Sequence, residues 1–268
     1  MIEELLRRVG DARLTKWCVE FGAWDGVHLS NTCNLIRAHG YQAVLIEGDA
    51  ERAAQIPGNL PAESVTVLNK MVQFEGADTL DNLLANTAIP EVFDVLSIDI
   101  DGADYWILES LRRYRPLILV VEYNPAIPNA VHYVQERSAS ISRGSSARAI
   151  VSLARTRGYV LAATTATNLL LVSEELATTV LDPDVLAAAI DPDPSSVLSL
   201  LRPDHPVYVF PLFDGTVCTS EPVLLHWQGT ALPSTELKRL PRLFRSSAHE
   251  WDRWRLLLWR AYRRVRLR

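Results

Sequence analysis

Four apolar runs in this chain carry acids at or near their ends. KWCVEFG places Glu20 ahead of Gly22 and Gly26, YQAVLIEGD reaches Glu47, FDVLSIDID finishes on Asp99 and Asp101, and RPLILVVEYN closes with Glu122 and Asn124. Side chains alternate along a strand, so Asp99 and Asp101 fall on one face, where two carboxylates repel unless a cation lies between them. Carboxylates with an amide oxygen and no cysteine are a hard donor set suited to Mg2+ or Mn2+, which makes Asp101, Glu122 and Asn124 the candidate metal ligands. Asp99 and Asp101 serve equally well as cofactor ligands or as the cap of the next helix.

The first of these runs turns through VEFGAWDGVHLSN, an E-x-G-x-x-x-G spacing and not the G-x-G-x-x-G of dinucleotide folds. A pyrophosphate needs glycines that let helix amides approach it. A cofactor without phosphates can instead be faced by side chains such as Trp24 and Asp25. S-adenosylmethionine is one: acidic groups suit its sulfonium and ammonium, and a helix N-terminus near Ser30 and Asn31 suits its carboxylate. Glu47, 21 positions past Gly26, stands where such a fold places the acid that accepts hydrogen bonds from ribose.

These tips imply a scaffold. Strand-length runs alternate with helix-like segments through residue 122, the rhythm of repeated βα units and a mostly parallel sheet. Residues 117–121 are continuously Leu, Ile or Val, which fits burial on both faces. Ser30 and Gly40 bound the first helix. ARAIVSLARTRG reads as another, with YVLAA and NLLLV after it as an antiparallel edge hairpin. After Leu176 the segment LDPDVLAAAIDPDPSSVLSLLRPDHP holds five prolines and reads as a linker with short helices. PVYVFPLFDGTVCT reads as a hairpin turning at Asp214 and Gly215. The expected division is 1–176 for the cofactor domain and 177–268 for a C-terminal extension.

With the stretches FGAWDGVHLSNT, LIEGD, VLSIDIDGADYWILESL and VVEYNP in view, residues 15–175 resemble the FkbM-type S-adenosylmethionine-dependent methyltransferases, many of which methylate sugar hydroxyls. The resemblance implies an α/β Rossmann-like class I methyltransferase fold, a seven-stranded sheet with helices on both faces. It also implies methyl transfer to oxygen and, in some relatives, a divalent metal. On matching motif positions, Glu20, Gly22 and Asp25 would take the methionine end and Glu47 the ribose, with Trp24, Gly26, Ser30, Asn31 and Asp99 completing the cofactor site. Asp49 fits no motif of that pattern.

Methyl transfer is an in-line displacement in which the attacking hydroxyl must lose its proton, and a coordinated cation would stabilise the developing alkoxide. His132, in NPAIPNAVHYVQE, is the candidate base, because unperturbed histidine titrates near neutral pH. Asp101 and Asp104 are the alternatives, and a plain surface histidine is the competing reading. The acceptor expected is a saccharide, glycolipid or glycosylated natural product. Two rival functions are a nicotinamide-dependent sugar oxidoreductase and a non-catalytic module that binds a nucleoside or glycolipid.

Composition places the protein elsewhere than in nucleic-acid binding. The net charge is −5, but from residue 235 on eleven basic residues oppose three acidic ones, a net +8 that leaves −13 for the rest. In WDRWRLLLWRAYRRVRLR, Trp251, Trp254, Leu258, Tyr262 and Val265 form one stripe of an expected helix whose arginines would be drawn to anionic lipid. Docking on the acidic domain, or on a second subunit of a homo-oligomer, is the alternative. No apolar run spans a bilayer and the N-terminus lacks a signal-peptide core, so a cytoplasmic protein at the inner membrane face is expected. Three separated cysteines without C-x-x-C spacing argue against disulfides and cysteine zinc sites.

Overall fold

The computed structural model describes residues 1–100, 102–138 and 141–202, and beyond them the backbone of four short strands. A first helix α1 (Ile2–Val9) leads into β1 (Trp17–Phe21), α2 (Cys33–His39) and β2 (Gln42–Glu47). Two single turns, α3 (Ala50–Ala53) and α4 (Ile56–Asn59), precede β3 (Val65–Asn69) and α5 (Leu80–Leu84). Then come β4 (Val92–Ile98), α6 (Asp104–Ser110), β5 (Arg115–Glu122), α7 (Ala147–Thr156), β6 (Tyr159–Thr164) and β7 (Asn168–Ser173). Three helices follow: α8 (Ala177–Val180), α9 (Pro183–Ile190) and α10 (Pro194–Leu201).

The seven strands form one sheet in the order β3-β2-β1-β4-β5-β7-β6. All pairs from β3 to β5 are parallel, and β7 runs antiparallel between β5 and β6. This is the α/β Rossmann-like class I methyltransferase sheet, and the edge hairpin expected from YVLAA and NLLLV is its last pair. The chain steps outward one way from β1 to β3 and the other way from β4 to β5, and the right-handed crossovers general to parallel sheets then place the connecting helices on opposite faces. Burial follows: residues 116–121 of β5 and 93–98 of β4 are buried without interruption. Each such Val, Leu or Ile contributes about 1.5–3 kcal/mol, enough to fix these central strands as the rigid base of the tips.

Two details set the tips in register. Asp94, buried in β4, accepts hydrogen bonds from Thr15 N (2.8 Å), Thr15 Oγ1 (2.9 Å) and Lys16 N (2.9 Å), tying the entry of β1 to its neighbour. Gly40 closes α2 in the left-handed conformation, φ 68°.

The segment after Leu176 forms the short helices expected of it, α8 to α10. Pro183 and Pro194 stand at helix starts behind the N-caps Asp182 and Asp193, where proline's missing N–H costs nothing. Arg148 of α7 pairs with Asp193 at 2.9 Å. The first compact unit accordingly comprises Met1–Pro125 and Asn129–Pro203, running past the boundary expected at 176. The second unit holds two hairpins. One pairs β8 (Val209–Pro211) antiparallel with β9 (Val217–Thr219), and the turn expected at Asp214 and Gly215 lies outside the described residues. The other pairs β10 (Leu224–Trp227) with β11 (Thr230–Pro233). The basic stripe at 251–268 lies outside the described residues. Among those described, no helix is long and apolar enough to cross a membrane.

Candidate active site

At the end of β1 the Glu20 carboxylate is buried and accepts hydrogen bonds from Ser30 Oγ (2.5 Å), Asn31 N (2.6 Å) and Thr32 Oγ1 (2.7 Å). Burial raises its pKa against the opposing pull of these donors. Ser30 Oγ also accepts from Cys33 N at 2.9 Å, satisfying the first amide of α2, whose N-cap position is Thr32. The donors assigned to the cofactor carboxylate at Ser30 and Asn31 are thus turned onto Glu20, and neither residue lines the cavity described below.

The turn after β1 organises itself. Gly22 has φ 81°, and a Cβ there would lie 1.8 Å from the Asp99 carbonyl oxygen, so glycine allows the tips of β1 and β4 to touch. Asp25 bends the chain by accepting from Val27 N (2.9 Å) and His28 N (2.7 Å), and these bonds hold its carboxyl below the usual range. It does not line the cavity, contrary to the role expected of it. Gly26, φ 83°, packs toward Leu60 and Ile56.

Trp24 explains the bulky residue in this turn. Its backbone is left-handed, φ 51°, and its N–H donates to Glu47 Oε2 at 2.8 Å. The ring is 40% exposed and lies under the Arg52 guanidinium, 3.5 Å from the ring centre. Glu47, buried at the end of β2, accepts from Asp49 N through its other oxygen at 2.8 Å. One carboxylate therefore bridges the turns after β1 and β2. Asp49 in turn caps α3 by accepting from Glu51 N and Arg52 N, which places Arg52 over Trp24.

At the tip of β4 Asp99 faces the same space. Asp104 does not. It is fully buried and accepts from Ile100 N and Gly102 N, both at 3.0 Å, which fixes the turn between β4 and α6. Burial pushes its carboxyl up to about 7. Asp101 lies outside the described residues.

A cavity of about 300 Å³ opens between these tips. Glu20, Glu47 and Asp99 supply its acidic side, Trp24 and Arg52 one rim, and Met71, Val72 and Phe74 an apolar wall. The volume is at the lower end of small-molecule sites. An adenine suits the apolar wall, ribose hydroxyls can donate to the lone pairs Glu47 keeps beyond its two backbone bonds, and a sulfonium suits the acids. The residues present fit S-adenosylmethionine.

A second cavity, of about 270 Å³, lies at the end of β5 and is lined by Glu122, Asn124, Gly102 and residues 142–144. Ser142 lines both cavities. Asn124 Nδ2 donates to Arg143 O at 2.6 Å, so its amide holds this wall in place. Of the expected metal ligands, Glu122 and Asn124 both line the second cavity and Asp101 lies outside the described residues; among the described residues no group of three His, Cys, Asp or Glu is placed to hold an ion. His132 is exposed and lines neither cavity, because the irregular segment after β5 carries it away from the strand ends.

Sequence reasoning missed Met71, Phe74 and Arg52. They lie outside the strand-tip motifs.

Residues 75–161 match the family model of the methyltransferase FkbM domain. No protein of curated function matches the chain. Among solved structures it is similar to a SAM dependent methyltransferase from Aquifex aeolicus, at 11% identity over 63% of this chain and 87% of that one with a TM-score of 0.38. It is similar also to one from Clostridium acetobutylicum ATCC 824 (8% identity, 64% and 90% covered, TM-score 0.40). A third is the N-terminal domain of EvdMO1, determined in the presence of SAH and D-fucose (14% identity, 63% and 82% covered, TM-score 0.36). The family match begins beyond β3, so Glu20 and Glu47 lie outside it while Asp99, Asp104, Glu122 and Asn124 lie within. The FkbM methyltransferase match thus runs from ahead of α5 to the first part of β6, within a sheet of Rossmann-like order.

Proposed function

We propose that the chain transfers the methyl group of S-adenosylmethionine to a hydroxyl oxygen of a saccharide, a glycolipid or a glycosylated natural product. The observation that carries this reading is the single cavity shared by Glu20, Glu47 and Asp99, with a polar second cavity next to it across Ser142. S-adenosylmethionine, when bound, supplies an electrophilic methyl carbon on a sulfonium. Glu47 would orient the ribose, Met71 and Phe74 would shield the adenine from water, and Asp99 and Glu20 would favour the cationic end. The acceptor would enter the second cavity. Glu122, the carboxylate of that cavity, would take the proton that the acceptor hydroxyl gives up as it is methylated. Neutral thioether and protonated carboxyl balance the lost sulfonium charge.

Isothermal calorimetry with S-adenosylhomocysteine and with NAD is the first test, and binding of NAD alone would overturn the reading. A panel of methyl glycosides, followed by S-adenosylhomocysteine release, tests the acceptor class. Glu122→Gln should abolish release while leaving S-adenosylhomocysteine affinity within about twofold, because it lines only the second cavity.

A further inference from the structure

Between β5 and α7 the described residues of 123–146 form no helix or strand, yet they supply walls to both cavities. Its backbone groups need partners. Many find them on one side chain. Gln135 is fully buried, and its Oε1 accepts from Arg143 N at 2.7 Å and Gly144 N at 2.8 Å. Its Nε2 donates to Ile141 O at 2.5 Å and more weakly to Ser138 O at 3.5 Å. Two N–H groups face one end of the amide and two carbonyls the other, so the network admits one orientation.

The backbone of Gln135 is held as firmly. Its N–H donates to Ser145 Oγ at 3.1 Å, and its carbonyl accepts from Trp106 Nε1 at 2.8 Å, tying the segment to α6. Gly102 approaches from the tip of β4. With φ 139°, it has no room for a side chain: a Cβ would lie 2.8 Å from Gln135 Oε1, 2.9 Å from Ile141 O and 3.0 Å from Ser142 Cα. The residues anchored in this way are those that Gln135 aligns with the cavities. Ile141 lines the first, Ser142 lines both, and Arg143 and Gly144 line the second.

From this we infer that Gln135 is a positioning residue: its carboxamide sets the partition between the methyl-donor cavity and the second cavity. The inference rests on the first cavity being the S-adenosylmethionine site. Gln135 touches neither cavity and acts through Ile141–Gly144. A buried amide that makes four hydrogen bonds cannot be replaced by a methyl group without taking these bonds from two N–H groups and two carbonyls.

Gln135→Ala and Gln135→Glu of the full chain separate this role from plain structural support. The glutamate keeps two acceptor oxygens for Arg143 N and Gly144 N but cannot donate to Ile141 O. Amide hydrogen exchange, read by mass spectrometry at a temperature where circular dichroism shows the variants folded, should quicken about tenfold over 141–144 in Gln135→Ala. In Gln135→Glu the protection of Arg143 and Gly144 should be retained. The dissociation constant of S-adenosylhomocysteine, by calorimetry, should rise about tenfold in the alanine variant and about threefold in the glutamate. Unchanged exchange over 141–144 in Gln135→Ala, or an affinity within about twofold of the parent in both variants, would overturn the inference. Should the alanine variant fail to fold, the glutamate variant decides alone, and a parent-like affinity there sinks the proposal. A parent chain that binds no S-adenosylhomocysteine would instead refute the donor-site reading, while the exchange measurement still reports on Gln135.

Discussion

Replacing Glu47 by glutamine removes one charge and one acceptor at the point where two turns meet. The carboxylate takes Trp24 N on one oxygen and Asp49 N on the other, each at 2.8 Å, and is 7% exposed. A glutamine keeps one carbonyl oxygen, so one of the two backbone N–H groups must face an NH2. A hydrogen bond to a charged acceptor is worth about 1.5–3 kcal/mol, and a buried donor left unpaired costs about 1–3 kcal/mol. The variant should therefore lose about 2–3 kcal/mol of unfolding free energy. Trp24 adds to the effect, since its left-handed backbone costs about 1–2 kcal/mol and is held by that bond. The ribose of the cofactor would lose an anionic acceptor at the same time, which predicts a further loss of affinity of about tenfold or more. Urea unfolding and calorimetry with S-adenosylhomocysteine measure the two quantities independently. Equal stability and equal affinity in Glu47→Gln would refute both the bridging role and the placement of the ribose.

Trp24→Gly should relieve the left-handed strain, leaving stability within about 1 kcal/mol of the parent, while removing the ring that lines the donor cavity. Its S-adenosylhomocysteine affinity should fall by about tenfold, and an unchanged affinity would show the ring to be mere surface. Asp99→Asn should weaken S-adenosylmethionine more than S-adenosylhomocysteine, because only the former carries the sulfonium charge. At about 5 Å and an effective dielectric near 20 that difference is up to about 3 kcal/mol, and equal losses in paired calorimetric titrations would remove Asp99 from the sulfonium. Asp104 makes stability depend on pH in the less common direction. Its folded pKa of about 7 lies above the ordinary 3.8, so the native state holds the proton more tightly and stability falls as pH rises from about 4 to about 7. Three units correspond to about 4 kcal/mol, and Asp104→Asn should flatten that slope in urea unfolding at pH 5 and 8. Sedimentation with anionic vesicles should require residues 245–268, given the +8 charge beyond 235; equal binding by the truncated chain would end the membrane proposal.

What could be read before folding was set by periodicity. Glu20, Glu47 and Asp99 were placed at strand tips because the residues before them are uniformly apolar, and a parallel sheet brings such tips to one edge. Asp25, Ser30 and Asn31 were assigned to a cofactor because their types suit one, and the folded chain uses those same groups on itself. The sequence carries no sign of which partner a carboxylate will choose when backbone N–H groups compete for it. His132 and Gln135 are three residues apart in a segment without period, and one is exposed while the other is wholly buried. Only the path of the backbone, fixed by Ser145, Trp106 and Gly102, separates them. The short helices expected after Leu176 do form, and two of them start at prolines behind Asp182 and Asp193, because proline marks a helix start as readily as a break.

The same competition explains why this sheet edge favours a cation over a phosphate. Asp25, Glu47, Asp49 and Asp104 each accept two backbone N–H groups within the turns at the tips of β1, β2 and β4. Those donors are the ones a nucleotide-binding turn would keep free for a pyrophosphate. Here they are spent internally, and the groups that remain toward the cavity are lone pairs. A dianionic pyrophosphate placed against Glu47 and Asp99 would meet repulsion of about 3 kcal/mol per charge pair at about 5 Å. It would find Arg52 already stacked on Trp24. A sulfonium and an ammonium reverse the sign of every such pair. The residues that shape the turns therefore also select the charge of what the turns can hold, so mutating an acid for its fold and mutating it for its ligand are one perturbation at Glu47 and two separable ones at Asp104, whose carboxylate never reaches the cavity.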